Sequence, residues 1–425
     1  MKSMFRSLAL VNYRRWFIGA FVSNLGLWMQ RTAQDWIVLT ELTEQDAVAV
    51  GVTMGLQLLP QLFLVPISGL ASDRFNPKRI LVVTSVVMAA LAIGLGTLLL
   101  LEIAQLWHVY GFALAGGIVA AIELPSKQVL ISELVSRDRL ANAVSLNSAS
   151  FNLARSAGPA VAATLMLFVG AGWVFYVNAL SFAALIFTIM ALQVDKLHLQ
   201  PRLSKGRGAI KAGFHYLASR SDIVVLIVMV FLIAATAMNF PIFASVMTVV
   251  EFGFGVGAYG ILLSAVAVGA VIGALLGARR DAPGVFTVTV GAAGLAAALA
   301  AAAFMPDFWT FAIVFIFAGI AIQTVLVSAN ATVQLATTPG MRGRILAIYM
   351  AIYMAGTPAG APFVGWIANE FGPRSAILLG AGGAVVALSI GLAWILVRRR
   401  THKRQNQDSV SAHSALSSNA IDADR

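Results

Sequence analysis

The sequence predicts an all-α membrane protein with twelve transmembrane helices in two six-helix bundles. Composition is the first reason: 59% of the 425 residues are hydrophobic, 11% are charged, and the mean hydropathy is +0.86. Soluble domains have an apolar share of about 45–50% and a charged share of about 25%. The second reason is that apolar runs of about 20 residues, enough to span a bilayer as a helix, alternate with short charged or Gly/Pro-marked breaks. A soluble globular protein is therefore excluded.

The breaks divide the chain into twelve predicted spans. They lie near residues 15–40, 47–71, 79–101, 107–132, 141–167 and 172–193, and then near residues 222–249, 256–279, 284–304, 308–336, 345–367 and 374–397. Residues 1–193 are predicted to form an N-terminal bundle and residues 221–398 a C-terminal bundle. Residues 194–220 are predicted as a cytoplasmic connection with an amphipathic surface helix. Residues 399–425 are polar and rich in Ser and Ala, which predicts a disordered cytoplasmic tail.

The positions of Lys and Arg predict the orientation of the chain in the membrane. If the N-terminus is cytoplasmic, all but four of the 29 Lys and Arg residues fall in cytoplasmic segments. The exceptions are Arg374, which faces out, and Arg31, Lys127 and Arg155, which lie within spans. Because cytoplasmic loops carry an excess of these residues, both termini are predicted to be cytoplasmic. The net charge of +11 is spread over short loops rather than one solvated face, so it does not indicate a nucleic-acid partner.

Polar side chains form stripes in three of the predicted spans. Residues at i, i+4, i+7 and i+11 lie within about 60° of one another on a helix. The stripes are Asn24, Trp28, Arg31 and Asp35 in the first span, Ser148, Asn152, Arg155 and Pro159 in the fifth, and Gln323, Val327, Asn330 and Gln334 in the tenth. Ionisable groups cost at least ~2.5–3.5 kcal/mol each at the bilayer centre. These stripes, with Gln34 beside Asp35 and with Glu123 and Lys127 of the fourth span, are therefore predicted to line a proton-coupling and substrate cavity.

Some of these charges also have a purely structural interpretation. Arg31 with Asp35, and Glu123 with Lys127, are opposite charges one helical turn apart, and each pair could simply neutralise itself. For Glu123 and Lys127 both interpretations stay open. Asp35 is favoured as a group that titrates or binds a cation, because an acid is costly in lipid without such a role. Arg155 has no acid within one turn of its own helix, so its partner is predicted to be Asp35, Glu123 or the substrate.

A charged turn joins the second and third predicted spans. Its characteristic residues are Gly69, Asp73, Arg74, Lys78 and Arg79. This spacing resembles the loop between the second and third helices of the major facilitator superfamily of secondary transporters. The resemblance implies a cytoplasmic latch in which Asp73, with Glu133 nearby, faces the basic start of the eleventh span at Arg342 and Arg344. The alternative is a basic loop that only sets the topology.

The fifth span resembles the antiporters of this superfamily in part. The segment Gly158-Pro159-Ala-Val-Ala-Ala is similar to their Gly-Pro-x-x-Gly-Gly signature, with Ala in place of both trailing glycines. Proline inside a helix removes a backbone hydrogen bond, so Gly158 and Pro159 are predicted to bend the span. Pro362 follows Arg342 at the same distance as Pro159 follows Arg139, which fits the parallel repeat of the superfamily's two halves.

Segments that begin at Ser23, Leu140 and Gly170 look like the enterobactin-exporter-like and macrolide-efflux-like branch of the superfamily, the transmembrane secretion effectors. The resemblance implies a monomeric exporter of the bacterial inner membrane that works by alternating access. It also implies exchange of protons for an amphipathic drug or siderophore-like molecule. Uptake by proton symport is the alternative within transport. A non-transporting receptor or a membrane enzyme is the alternative outside it.

Several kinds of site are missing from the sequence. It has no Gly-x-x-x-x-Gly-Lys-Ser/Thr loop for ATP, no Cys, and five His that fall at span ends, in the connection or in the tail. The sequence therefore predicts no metal site, no cofactor and no catalytic cluster, and the protein is not expected to be an enzyme. The predicted partners are a small-molecule substrate, protons and membrane lipid.

Overall fold

The computed structural model describes residues 5–193, 195, 197–198, 209–278, 283–338 and 341–423. Side chains are described for all of these except residues 65–74, 141, 209–213, 278 and 399–423. Within the described residues the regular structure is entirely helical. The predicted all-α class is therefore confirmed.

The helices follow the predicted spans to within a few residues at most ends. After a 3₁₀ turn over Arg6–Ala9, the first half contains α1 (Val11–Thr40), α2 (Ala47–Arg74), α3 (Pro77–Leu100), α4 (Leu106–Leu134), α5 (Leu140–Val169) and α6 (Ala171–Met190). The connection contains α7 (Ala209–Ala218). The second half contains α8 (Ser221–Thr236), α9 (Phe240–Val246), α10 (Val256–Ala278), α11 (Val285–Ala303), α12 (Phe308–Ala336), α13 (Arg342–Phe371) and α14 (Pro373–Ala423). The backbone of α14 continues beyond its apolar part, and the predicted disordered tail over residues 399–425 stays a prediction.

Eleven segments of the described chain are long and apolar enough to cross a membrane. One of them, Ser221–Glu251, comprises α8, α9 and a π-helical stretch over Met247–Glu251. The twelfth helix of spanning length is α1, whose 30 residues give a length of about 45 Å. It is too polar to be counted with the others, because Arg31, Asp35 and several amide side chains interrupt its apolar sequence. The predicted polar stripe thus lies on the helix that least resembles an ordinary span.

The charged turn between α2 and α3 is shorter than its sequence suggests. Helix α2 continues to Arg74 and α3 begins at Pro77, so only residues 75–76 lie between them. Asn76 accepts a hydrogen bond from the backbone N–H of Lys78 at 2.9 Å. Pro77 occupies the first helical position, where no amide hydrogen is needed. The turn is therefore a capped helix start, and most of the charged motif belongs to the ends of two helices.

Two glycines show that the halves repeat the same turn. Gly170 between α5 and α6 has φ 83° and ψ 163°, and Gly372 between α13 and α14 has φ 86° and ψ 164°. This backbone conformation is accessible at low cost only to glycine. The fifth-to-sixth connection of the first half is thus reproduced in the second half, as expected of a parallel repeat.

Two helix pairs make the most extensive contacts between the bundles: α2 packs on α13, and α5 packs on α10. The first pair approaches backbone to backbone. A Cβ atom on Gly51 would overlap the carbonyl of Ala361, and one on Gly365 would overlap the carbonyl of Ala47. Small residues permit such close helix packing in membranes. Because Gly51 lies near the start of α2 and Gly365 near the end of α13, this contact holds one end of the two bundles together.

We call this end the far end; it is formed by residues 41–46, 101–105, 170, 252–255, 304–307 and 372. The opposite end, which we call the basic end, is formed by residues 5–10, 75–76, 135–139, 219–220, 337–338 and 341. Arg342 and Arg344 are exposed at the basic end. The bundles are therefore closed against each other at the far end, and the positive-inside rule predicts that the basic end is cytoplasmic.

Candidate functional site

Asp35 is a buried acid in the half of α1 nearer the far end. Its side chain is only 4% exposed, and its Oδ1 atom has no hydrogen-bond partner among the described residues. None of the ion pairs in the described part of the chain includes it. Arg31, one turn earlier, acts on Asp35 only through space. The simple neutralising pair that was one interpretation of these two charges is therefore not formed.

The group across the bundle boundary from Asp35 is a tyrosine. Tyr259 of α10 is fully buried, and its ring stacks on the indole of Trp36 with centroids 5.4 Å apart. Its hydroxyl has no hydrogen-bond partner in the described part of the chain and lies within electrostatic reach of Asp35. A carboxyl and a phenol, which are complementary as acceptor and donor, are thus buried on opposite sides of the boundary without being joined.

Arg31 lines a separate pocket inside the N-terminal bundle. The pocket has a volume of about 40 Å³. Its polar lining consists of Gln30, Arg31, Gln34, Gln57 and Asn178, and its apolar lining comes largely from α3 and α4. The guanidinium carbon also lies 5.0 Å from the ring centroid of Trp28. The polar residues of the α1 stripe therefore lie in two different environments: Arg31 lies within the N-terminal bundle, and Asp35 lies at the boundary between the two bundles.

Glu123 and Lys127 form an ion pair within α4. The Nζ atom of Lys127 lies 3.0 Å from Oε1 of Glu123, although the approach lacks hydrogen-bond geometry. The side chains are 21% exposed for Lys127 and 6% exposed for Glu123. This is the geometry expected of a structural pair one turn apart. A part in proton coupling for these two residues remains a proposal.

Arg155 of α5 lies against a tyrosine of the other bundle. The Tyr353 hydroxyl of α13 is within reach of its guanidinium. Among the described residues no acid forms an ion pair with Arg155, and Glu123, one of its predicted partners, is paired with Lys127. The contact crosses the bundle boundary near the middle of both helices. Pairing of Arg155 with Asp35 is not seen in this arrangement and remains a proposal for another one.

Helix α5 is continuous through Gly158 and Pro159. A Cβ atom on Gly158 would overlap the Cβ of Trp28, so the glycine lets α1 pack directly on α5. Trp28 also meets the ring of Phe151 edge-on, with centroids 5.9 Å apart. The contacts of Trp28 with Gly158 and Phe151 therefore hold α1 against α5. The bend predicted at Gly158 and Pro159 stays a prediction.

The other predicted cavity residues lie at different depths. Asn24 is buried in α1. Asn152 is exposed and donates to the carbonyl one turn earlier in α5 at 2.9 Å. Gln323 is half-buried where α12 packs on α10. Asn330 and Gln334 bond to each other at 2.5 Å toward the basic end of α12. The structure therefore does not gather these residues into one cluster.

The predicted latch lies at the basic end and is described only in part. Three of its side chains fall outside those described: Gly69, Asp73 and Arg74. Lys78 is half-buried and Arg79 is exposed in the first turn of α3. Glu133 is buried at the end of α4, whereas Arg342 and Arg344 are exposed at the start of α13. The basic side of the latch is thus accessible, and its acidic centre at Asp73 remains a proposal.

Hydrogen bonds join the bundles directly at the far end. The Nδ2 atom of Asn369 donates to Oδ1 of Asp46 at 2.6 Å, and Oδ1 of Asn369 accepts from the backbone N–H of Ala47 at 2.9 Å. Oδ1 of Asp46 also accepts from the N–H of Val48 at 2.8 Å, which caps α2. We call Asp46 and Asn369 the far-end clasp. It connects the start of α2 with the end of α13.

Sequence reasoning missed the residues that act across helices. Tyr259 and Tyr353 carry no signal of their own, because their significance comes from an acid or a cation on a distant helix. Gln57 and Asn178 were missed because the search was for stripes within one helix. An amide side chain within an otherwise apolar span was the signal that could have found them, since such a group needs a polar environment.

Comparison with known families agrees with this architecture. The profile of the transmembrane secretion effector family matches residues 2–425. The staphyloferrin A transporter of Staphylococcus aureus is 26% identical over 266 residues, which are 61% of this chain and 65% of that protein. The MFS-type transporter YfiS of Bacillus subtilis is 26% identical over 200 residues, 46% of each chain. The matches thus span less than two thirds of either curated relative.

Solved structures give the same fold. A mutant of the nucleoside transporter NupG superimposes with a TM-score of 0.73 at 13% identity, over 90% of this chain and 99% of that one. A bacterial homologue of the human lysosomal transporter Spinster, in an inward-facing and occupied conformation, superimposes with a TM-score of 0.67 at 16% identity. The match covers 92% of this chain and 96% of that one. At these identities the similarity shows the fold alone. All of the proteins named are transporters rather than enzymes.

Proposed function

Since the chain belongs to the transmembrane secretion effector family of the major facilitator superfamily, we propose that it exports an amphipathic small molecule in exchange for protons. The protein is a multi-pass transporter. The proposal adds a direction, a coupling ion and a class of substrate. It also places the basic end in the cytoplasm of a bacterium, with both termini inside, and takes the working unit to be a monomer.

The burial of Asp35 is the observation that carries the proposal. Charging an isolated carboxyl away from water costs free energy, so this group is favourable when protonated or when a cation is close. It lies at the boundary that has to open and close during alternating access, opposite Tyr259. Opening of the far end would admit water to the boundary and let protons reach Asp35 from outside. Closure would then carry the proton to the inner side.

The state of the two ends supports an inward-open arrangement. The far-end clasp and the contact of α2 with α13 close one side, while the basic residues at the start of α13 remain exposed on the other. In alternating access the same two bundles rock so that the closed and open sides exchange. A molecule from the cytoplasm would enter in the present arrangement and leave after the exchange.

Proton exchange supplies enough free energy for export. One proton that enters the cell yields ~2.3 kcal/mol per 100 mV of membrane potential and about 1.4 kcal/mol per pH unit. A tenfold concentration gradient of a neutral molecule costs about 1.4 kcal/mol. The siderophore in the name of the Staphylococcus aureus relative supports a drug-like or siderophore-like substrate of mixed polarity.

Transport in inside-out vesicles tests the proposal. Vesicles that contain the purified protein are given an acidic interior, and a panel of dyes, antibiotics and siderophores is added outside. Accumulation that requires the pH gradient supports export by antiport. Accumulation driven by an acidic exterior would instead indicate that protons and substrate move in the same direction, which is symport, and the inward proton gradient of a cell would drive such a symporter toward uptake. The absence of any gradient-dependent movement across the panel would count against proton coupling.

A further inference from the structure

The pocket that Arg31 lines is assembled from parts of five helices within the N-terminal bundle. Gln30, Arg31 and Gln34 come from α1, Gln57 from α2 and Asn178 from α6, and the helices α3 and α4 supply apolar residues. Arg31 is the charged residue of this lining. The pocket therefore has the positive charge that an anion site needs, and it lies within the N-terminal bundle.

Arg31 has no acidic partner in the described part of the chain. None of the ion pairs there includes it, and Asp35 acts on it only through space. Its close neighbour is the ring of Trp28, which offers a cation a weak attraction and no negative charge. A guanidinium in a membrane interior needs a counter-charge.

The amide groups around Arg31 supply further donors. Gln57 is nine-tenths buried, and its Nε2 atom has no hydrogen-bond partner in the described residues. Gln34 is buried, and its Nε2 reaches only the carbonyl of Val109 at 3.5 Å, a long contact for a hydrogen bond. Asn178 is held by Gln30 at 2.5 Å. A cation and two weakly engaged amide donors therefore surround the same space.

We propose that this pocket binds one small inorganic anion, of which chloride is the representative. The volume of about 40 Å³ has room for roughly three or four water-sized particles, because one such particle needs about 10–15 Å³ by this measure. Drug-sized molecules occupy pockets of about 300–1,000 Å³, so the exported substrate does not fit. The anion neutralises Arg31, fixes α1 relative to α2 and α6, and keeps Arg31 from drawing Asp35 away from the bundle boundary.

Anion-dependent stability of the purified full-length protein tests this site. The melting temperature is measured while sodium gluconate is replaced by sodium chloride or sodium bromide at constant ionic strength. A ligand at about a hundredfold its Kd raises the melting temperature of a protein of this size by about 3 °C or more. We expect that rise with chloride and bromide, and diffraction from crystals grown in bromide should place bromide beside Arg31. Equal stability in gluconate, chloride and bromide would overturn the proposal.

Variants separate the pocket from a general effect of salt. Arg31→Gln should lose the chloride-dependent rise, whereas Arg155→Gln, which removes another intramembrane Arg outside the pocket, should retain it. Gln57→Leu should raise the half-saturating chloride concentration about tenfold or more, since it removes a donor to a charged ligand. If Arg31→Gln does not fold, Gln57→Leu alone decides. An unchanged chloride response in Gln57→Leu, or an equal loss in Arg155→Gln, would contradict the site.

Discussion

The side-chain amide of Asn369, at the end of α13, donates to the carboxylate of Asp46 at the start of α2 over 2.6 Å. Asn369→Ala removes this bond and the one that the backbone N–H of Ala47 donates, but it leaves Asp46 free to cap α2. A hydrogen bond to a charged group contributes about 1.5–3 kcal/mol, and less where water competes, so we expect a loss of about 1 kcal/mol. That changes the ratio of the two conformers about fivefold, in favour of the state open at the far end.

Cysteine crosslinking measures this shift, because the chain contains no Cys. One pair is introduced across the far end and one across the basic end. Asn369→Ala should lower the far-end yield and raise the basic-end yield. Glu370→Ala is the matched control, since Glu370 is the next residue, is exposed, and belongs to no ion pair in the described part of the chain. Identical yields in Asn369→Ala and Glu370→Ala would show that the far-end clasp does not hold the bundles closed.

Asp35→Asn should abolish gradient-driven transport and leave folding intact, because it removes the titrating group but keeps the size of a buried side chain. Transport in vesicles and the melting temperature are measured together. The control is Asp307→Asn, in which the lost carboxylate is an exposed cap of α12 that accepts from the N–H groups of Trp309 and Thr310 at 3.0 Å. Asn caps a helix about as well as Asp.

The control is informative about pH as well. The hydrogen bond from the backbone N–H of Thr310 makes the largest contribution to holding the pKa of Asp307 below its usual range, and the hydrogen bond from the Thr310 side chain adds to it. Its carboxylate therefore stays ionised from pH 5 to 8, and its removal should leave the pH profile of transport unchanged. A fully active Asp35→Asn with the parent's pH profile would remove Asp35 from the mechanism.

The fold was predictable because it depends on patterns that are local in sequence. The lengths and hydropathy of the apolar runs located the helices. The polar side chains of α1 distinguish it from the other spans in both the sequence and the structure. The site was predictable only in part. Helical spacing found Arg31 and Asp35 but placed them on one face of one cavity, whereas the first lines a pocket within a bundle and the second lies at the boundary between bundles. Which helix lies opposite a residue is set by tertiary packing, and the spacing along one helix does not contain it.

The loss of stability on replacing Arg155 should depend on Asp35 and not on Glu123. Glu123 already has Lys127 at 3.0 Å, so its charge is balanced within its own helix. If Arg155 is the counter-charge of Asp35 in one state of the cycle, Arg155→Ala leaves a buried carboxylate unpaired, at a cost of ~3–5 kcal/mol where the pair is desolvated. Expression and melting temperature should then recover in Arg155→Ala combined with Asp35→Asn.

The companion variant keeps the test specific. Arg155→Ala combined with Glu123→Gln should remain as unstable as Arg155→Ala alone. Recovery with Glu123→Gln, or recovery in neither of the two double variants, would contradict a pairing of Arg155 with Asp35. Tyr353→Phe, which removes the hydroxyl near Arg155 and keeps the ring, should slow turnover with little change in stability.

Asp73 should favour the conformer that is open at the far end, whereas Asn369 favours the conformer that is closed there. The resemblance to the major facilitator superfamily places its carboxylate at the basic end, where Arg342 and Arg344 are exposed at the start of α13. An acid that meets a basic helix start only when the basic end closes stabilises the state that is open at the far end. Because this site is close to water, the interaction is worth about 1 kcal/mol, similar to the free-energy gap between conformers.

Asp73→Asn should therefore shift the population toward the arrangement closed at the far end, and it should slow turnover without removing substrate binding. With the same two cysteine pairs, the far-end yield should rise and the basic-end yield should fall, the reverse of the result expected for Asn369→Ala. The double variant should return both yields toward those of the parent chain, because two independent and opposite free-energy changes add. Yields that do not respond to Asp73→Asn, in the single and the double variant alike, would leave the charged motif as a determinant of topology only.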